Sequence, residues 1–168
     1  MKSHDLITSP NYIVDSARES FTDKTTRPNE MWQTDFTYFK ISAWGWYYLG
    51  TVLDDYSRKI LAWKLYPSMG VNDVKDLLDA AIAETGVSFV RVRHKPRLLS
   101  DNGPCYIAEE LKEYLDKQGI NHVRGRPHHL QTQGKIERYH RTMKNVIKLQ
   151  NYYFPEELER EIAAFVRY

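Results

Sequence analysis

Apolar and polar positions along the chain change period several times, and each change marks an element. Trp32 to Ile41 is rich in aromatic and Thr residues, the composition of a β-strand. Trp46 to Leu53 and Arg58 to Tyr66 read as two more strands. The connectors Ser42–Gly45 and Asp54–Ser57 are short, which predicts an antiparallel meander. The period then becomes helical: Val71, Val74, Leu77, Leu78, Ala81 and Ile82 share one face over Val71–Glu84, with Gly86 as the stop signal. Arg97–Ser100 reads as a short buried strand, Ile107–Gln118 as a second helix ended by Gly119, and Ile120–Arg124 as a fifth strand. A polar loop, Gly125–Gly134, leads into a helix from Lys135 to Gln150, with Ile136, Tyr139, Met143, Val146 and Ile147 on its apolar side. A last helix begins at Pro155. Glu156 and Glu157 lie in its first turn, where the helix dipole favours acids, and Leu158, Ile162, Phe165 and Val166 form its apolar face.

This order predicts an α/β fold: a five-stranded mixed sheet, three antiparallel strands and then crossover strands, with the first strand central and helices on both faces. A length of 168 residues fits one domain with a real core. Met1–Glu30 shows no sustained period and reads as a lead-in or linker, the tail of a preceding domain. Residues 31–168 would be the core, cut short at its C-terminus because no stop signal precedes Tyr168.

Composition adds exclusions. An apolar content of 42% with 13% aromatics describes a globular chain. No apolar run approaches membrane-spanning length and the N-terminus lacks a signal-peptide core, so a cytoplasmic protein is expected. The lone Cys105 excludes an internal disulfide and any Cys-pair zinc site. The net charge of +2 conceals an asymmetry: His122–Lys148 holds seven Lys or Arg against one acid, Glu137. A basic surface facing a polyanion follows.

Three acids stand where local structure should avoid them. Asp35 lies inside the first strand, where burial of a carboxylate is costly without a cation or hydrogen bonds. Asp101 ends the apolar run Leu98-Leu99 and opens an Asp-Asn-Gly turn, at the strand end where α/β sheets place ligands. Glu137 leads a helical stripe continued by Arg141, Lys144 and Lys148, with Gln133 one turn ahead. Singly, each has a plain alternative: an ion pair for Asp35, a turn residue for Asp101, an i,i+4 pair with Arg141 for Glu137. Together they suit hard oxygen-preferring cations, Mg²⁺ or Mn²⁺, about 4 Å apart at a phosphodiester.

Trp32-Gln33-Thr34-Asp35-Phe36-Thr37, Ser100-Asp101-Asn102-Gly103 and Gln133-Gly134-Lys135-Ile136-Glu137-Arg138 resemble the catalytic core of DDE transposases and retroviral integrases, nearest to bacterial insertion-sequence transposases. Thirty-five residues separate Asp101 from Glu137, the spacing of that family's motif. Val52–Arg58 also looks like its second-strand turn. The resemblance implies a ribonuclease-H-like fold with Asp35, Asp101 and Glu137 as catalytic metal ligands, and two ions when DNA is bound. It implies DNA contacts at Asn102, Gln133, Lys135, Arg138, Arg141, Lys144 and Lys148. It further implies cleavage at element ends, strand transfer of a 3′-hydroxyl into double-stranded target DNA, and a homo-multimer on that DNA. A structure-selective or hybrid nuclease of the same fold and a non-catalytic DNA-binding relic remain the alternatives.

Lesser candidates have plain readings: Asp54 and Asp55 as a hairpin turn, His128 and His129 as solvated loop residues, Cys105 as a small buried hydrophobe, and Trp32, Trp46 and Trp63 as core.

Overall fold

The structure, a computed structural model, describes residues 24–87, 95–125, 133–148 and 151–167. Among them five strands form one sheet: β1 (Met31–Ile41), β2 (Gly45–Asp54), β3 (Ile60–Tyr66), β4 (Arg97–Ser100) and β5 (Asn121–Arg124). Its order is β3-β2-β1-β4-β5, so the first strand is central as expected. β1, β2 and β3 pair antiparallel, while β4 joins β1 and β5 joins β4 in parallel. The helices are α1 (Val71–Thr85), α2 (Pro104–Ile107), α3 (Glu109–Gln118), α4 (Gly134–Ile147) and α5 (Pro155–Arg167). Gly86 and Gly119 end α1 and α3 at φ 65 and 70°, the left-handed conformation that glycine adopts without strain.

The alternation of side chains along β1 builds two cores. Trp32 and Phe36 pack with Val52, Leu98 and the apolar faces of α1 and α3. Phe39 and Ile41 pack on the other face with Leu49, Met143 and Ile147 of α4, and Leu158 and Ile162 of α5. The odd residues Gln33 and Asp35 therefore face α4. Across the ladder from Phe36 is Gly50, where an added Cβ would lie 2.8 Å from the Phe36 ring and 2.9 Å from a Leu77 methyl.

Several expectations change. The second helix is split at Ala108, whose ψ of 136° is extended, into α2 and α3. α4 ends at Ile147. Its buried line is Ile136, His140, Met143 and Ile147. Val146, expected inside, is 53% exposed because it sits about 100° around the helix from Ile147. Trp46, also expected in the core, is 53% exposed on the β1–β2 hairpin. Trp32 and Cys105 are buried as expected. His128 and His129 lie outside the described residues.

Candidate metal and nucleic-acid site

The register brings two of the acids level. Gln33 pairs with Leu99 on the neighbouring parallel strand, and two residues further along each chain stand Asp35 and Asp101. Adjacent strands run about 4.8 Å apart, so the two carboxylates leave neighbouring strands at one height. Both act on the same buried groups. Burial, with Asp101 and then Asp35 adding to it, pushes the Cys105 thiol up to about 11. Burial likewise holds the Tyr106 phenol well above its usual range, with Asp35 and Asp101 contributing, although its bond to Thr34 Oγ1 at 3.2 Å acts the other way.

Each carboxylate accepts one backbone amide. The Asp101 Oδ1 accepts the Gly103 amide at 2.9 Å, closing the Asx turn, and the residue is otherwise exposed. Asp35 Oδ1 accepts the Phe36 amide at 2.8 Å, and its Oδ2 lies 3.3 Å from Nδ1 of His140. His140 is buried between Asp35 and its cross-strand partner Thr51, whose Oγ1 is 3.1 Å from Nε2. The approach of Nδ1 to the carboxylate on one side and of Nε2 to Thr51 on the other holds the ring between the two strands. Sequence reasoning missed His140, which reads as an ordinary polar helix residue until Asp35 is placed beside it.

The third acid is positioned by its helix. Ahead of Glu137, the N-terminus of α4 is pinned to the sheet by a polar clamp. Gln33 Oε1 accepts the Ile136 amide at 3.1 Å, and Gln33 Nε2 donates to Asp55 Oδ1 at 2.7 Å. The Lys135 ammonium donates to Asp55 Oδ2 and to the Asp55 carbonyl, both at 2.7 Å. Thr25 Oγ1 adds a third donor to Asp55 at 2.6 Å. Buried Gln133 points its amide between the carbonyls of Thr34 and Leu99, at 3.4 and 3.5 Å, one residue before Asp35 and two before Asp101. Glu137 lies one turn beyond Gln133 on α4, and His140, almost one turn further, reaches Asp35 on β1 and Thr51 on β2. Glu137 is exposed, and the i,i+4 pair with Arg141 is not formed: it makes no ion pair with any described residue.

Among the described residues no three His, Cys, Asp or Glu side chains gather as a finished metal cluster. Asp35 lies on β1, Asp101 follows the end of β4 in its turn, and Glu137 is exposed in the first turn of α4. This all-oxygen donor set fits Mg²⁺ or Mn²⁺.

The residues expected on DNA divide. Arg138, Arg141 and Lys148 are exposed on α4. Lys144 reaches over the Tyr38 ring, 4.4 Å from its centroid, where burial and nearby Lys148 lower its pKa. Lys135 and Gln133 are instead engaged inside the clamp. Asn102 donates to the Gly125 carbonyl at 2.8 Å, tying the Asp101 turn to the end of β5. Asp54 and Asp55, which read as hairpin polarity, are 1% and 4% exposed. Asp54 accepts the Asn29 amide and both the amide and hydroxyl of Ser57, organising the β2–β3 turn.

Residues 25–129 match the integrase core domain. The chain belongs to this family. Its five-stranded mixed sheet is the ribonuclease-H-like arrangement. It is 32% identical over 123 residues to the Pol-related polyprotein of mouse intracisternal A-particle MIA14, covering 72% of this chain and 13% of that one. It is 33% identical over 98 residues to a putative transposase for insertion sequence element IS986/IS6110 of Mycobacterium tuberculosis (strain CDC 1551 / Oshkosh), covering 55% of this chain and 33% of the other. The chain thus spans a small fraction of its polyprotein relatives. The HTLV-2 integrase catalytic core domain in complex with magnesium (trimeric form) superposes with a TM-score of 0.65 at 22% identity, covering 85% of this chain and 86% of that one. A chain of the simian T-cell lymphotropic virus intasome in complex with PP2A regulatory subunit B56 gamma gives 0.65 at 24% identity, covering 75% and 42%. At these identities the superpositions speak for the fold. No helix among the described residues is long and apolar enough to cross a membrane.

Proposed function

We propose that this chain is the catalytic core of a DNA transposase of the insertion-sequence type, breaking phosphodiesters at element ends and joining the freed 3′-hydroxyl to target DNA. One observation carries the reading: Asp35 and Asp101 each stand two residues beyond the paired Gln33 and Leu99 of adjacent parallel strands, and the helix packed on β1 presents in its first turn a Glu137 that has no ion pair among the described residues.

Asp35, Asp101 and Glu137 would hold two divalent cations when DNA is bound, and such ions supply charge neutralisation at the phosphate and an activated attacking oxygen. The remaining residues do the positioning on which phosphoryl transfer depends. His140 orients the Asp35 carboxylate through Oδ2. The clamp of Gln33, Asp55 and Lys135 sets the height of α4, and Gln133 sets its place over the seam. Arg141, Lys144 and Lys148, with Arg138 on the flank and Asn102 at the Asp101 turn, take the DNA backbone, each phosphate contact adding salt dependence. The working form is a homo-multimer on double-stranded DNA in the cytoplasm, with residues 1–30 as lead-in and 31–168 as the core.

The test is Mn²⁺ titration by calorimetry with a short duplex, together with strand-transfer assays, on wild type and on Asp35→Asn, Asp101→Asn and Glu137→Gln. Each substitution is expected to weaken metal uptake and lower transfer by about 10³-fold, since a lost ligand forfeits several kcal/mol of charge stabilisation. Unchanged metal binding in all three would refute the assignment. Cleavage without regard to end sequence and without transfer would identify a nuclease instead.

A further inference from the structure

Exposed aromatic side chains collect at one end of the sheet. Tyr38, Trp44 and Trp46 stand on the β1–β2 hairpin, 53, 54 and 53% exposed. Tyr153 and Phe154, also exposed, follow Tyr152, whose carbonyl accepts the Ser42 amide of the same hairpin at 3.0 Å. Tyr38 and Trp46 meet edge to face with centroids 5.3 Å apart, Trp46 being the ladder partner of Lys40. Lys144 reaches the Tyr38 ring from α4 and joins this surface to the basic helix face. Tyr38 is three residues along β1 from Asp35, roughly 10 Å.

Solvent-exposed aromatics gathered in this way mark an interaction surface. Their mixture with lysines selects the occupant. Unpaired bases offer π faces to stack on Tyr and Trp, and their phosphates offer charge to Lys40 and Lys144. A duplex keeps its bases stacked on one another and has little use for such a platform. We propose that the β1–β2 hairpin binds single-stranded DNA, Tyr38 and Trp46 stacking its unpaired bases. The proposal deepens the function given above and rests on it: the strand so held is one whose end has been opened for reaction.

Fluorescence anisotropy with the whole chain tests it, using a roughly 12-nucleotide labelled oligothymidine and a duplex of equal length at one salt concentration. The doubly substituted Tyr38→Leu/Trp46→Leu chain keeps apolar area and loses the rings. It is expected to bind the single strand about 5- to 150-fold more weakly, while duplex affinity stays within about twofold. Tryptophan emission of the wild type should be quenched by the oligothymidine and not by the duplex. Circular dichroism confirms folding, and the single Trp46→Leu change repeats the measurement if the double variant melts early. Equal losses for both DNAs, or none, would overturn the proposal. So would a wild type that is dimeric by sedimentation equilibrium and a variant that is monomeric, with no preference for single strands; the surface would then join copies of the chain. Glu137→Gln separates the two ideas, because it should abolish transfer and leave the single-strand preference unchanged.

Discussion

Asp55 should be worth more to stability than any acid on the surface. Replacing it by alanine removes the acceptor for Lys135, Gln33 and Thr25 at once. Asp55 is 5% exposed at its side chain and Lys135 29%, so the ammonium would be left partly buried with only the Asp55 carbonyl for a partner. Truncating one member of a buried pair costs about 3–5 kcal/mol. The Gln33 amide left unbonded belongs to the same penalty, at about 1–3 kcal/mol for a neutral group. We take about 3–5 kcal/mol for the whole change, a large share of the 5–15 kcal/mol typical of a domain. At about 2–4 °C per kcal/mol for this length, the melting temperature should fall by roughly 6–20 °C. Urea denaturation followed by circular dichroism measures it. A double-mutant cycle with Lys135→Met should return a coupling of at least about 1 kcal/mol, since the two side chains touch. Loss below about 1 kcal/mol in the alanine variant, with coupling near zero, would refute the clamp and return Lys135 to the DNA-facing set. In that event Lys135→Met would weaken DNA binding and leave stability untouched.

Two further outcomes follow from the packing. Gly50→Ala should cost about 1–3 kcal/mol by crowding the Phe36 ring, which is hemmed by Tyr66 and Tyr106 at centroid distances of 6.1 and 6.3 Å, and a melt unchanged from wild type would contradict the close approach. With its pKa near 11 against about 8.5 for a free thiol, Cys105 should react with a disulfide reagent at pH 8 at least about 100-fold more slowly in the folded chain than in denaturant. Asp101→Asn should quicken that reaction by removing a negative neighbour, and equal rates would show the thiol to be governed by access alone.

The sheet was legible in the sequence because β1 to β3 carry their own turns and α1 and α3 carry their own glycine stops. Such signals are local. Asp35 also announced itself, as an acid in a strand with no turn residue beside it. Asp55 did not: within Asp54-Asp55-Tyr56-Ser57 an acid reads as hairpin polarity, and its burial depends on Lys135, 80 positions away. Lys135 failed for the same reason in reverse, since a lysine beside Arg138 and Arg141 looks solvated until Asp55 is beneath it. His140 was missed because helical periodicity ranks side chains by hydropathy, and histidine enters this interior by hydrogen bonding to Thr51 beside the Asp35 carboxylate. Val146 and Trp46 failed because an apolar type records what a position tolerates and not which way it faces.

The ladders of the sheet are unequal. β1 and β2 are joined from Trp32–Asp54 to Ile41–Gly45, whereas β1 and β4 are joined only from Met31 to Gln33. Asp35 stands on one bank of that short seam and Asp101 on the other, with the Gln133 amide as a stitch between the strands. Past Gln33 and Leu99 no ladder pair ties the two strands that carry the acids. On the function proposed above, an ion gripping both carboxylates would hold the seam shut and add protection against exchange of the Arg97 and Leu99 amides, which face β1.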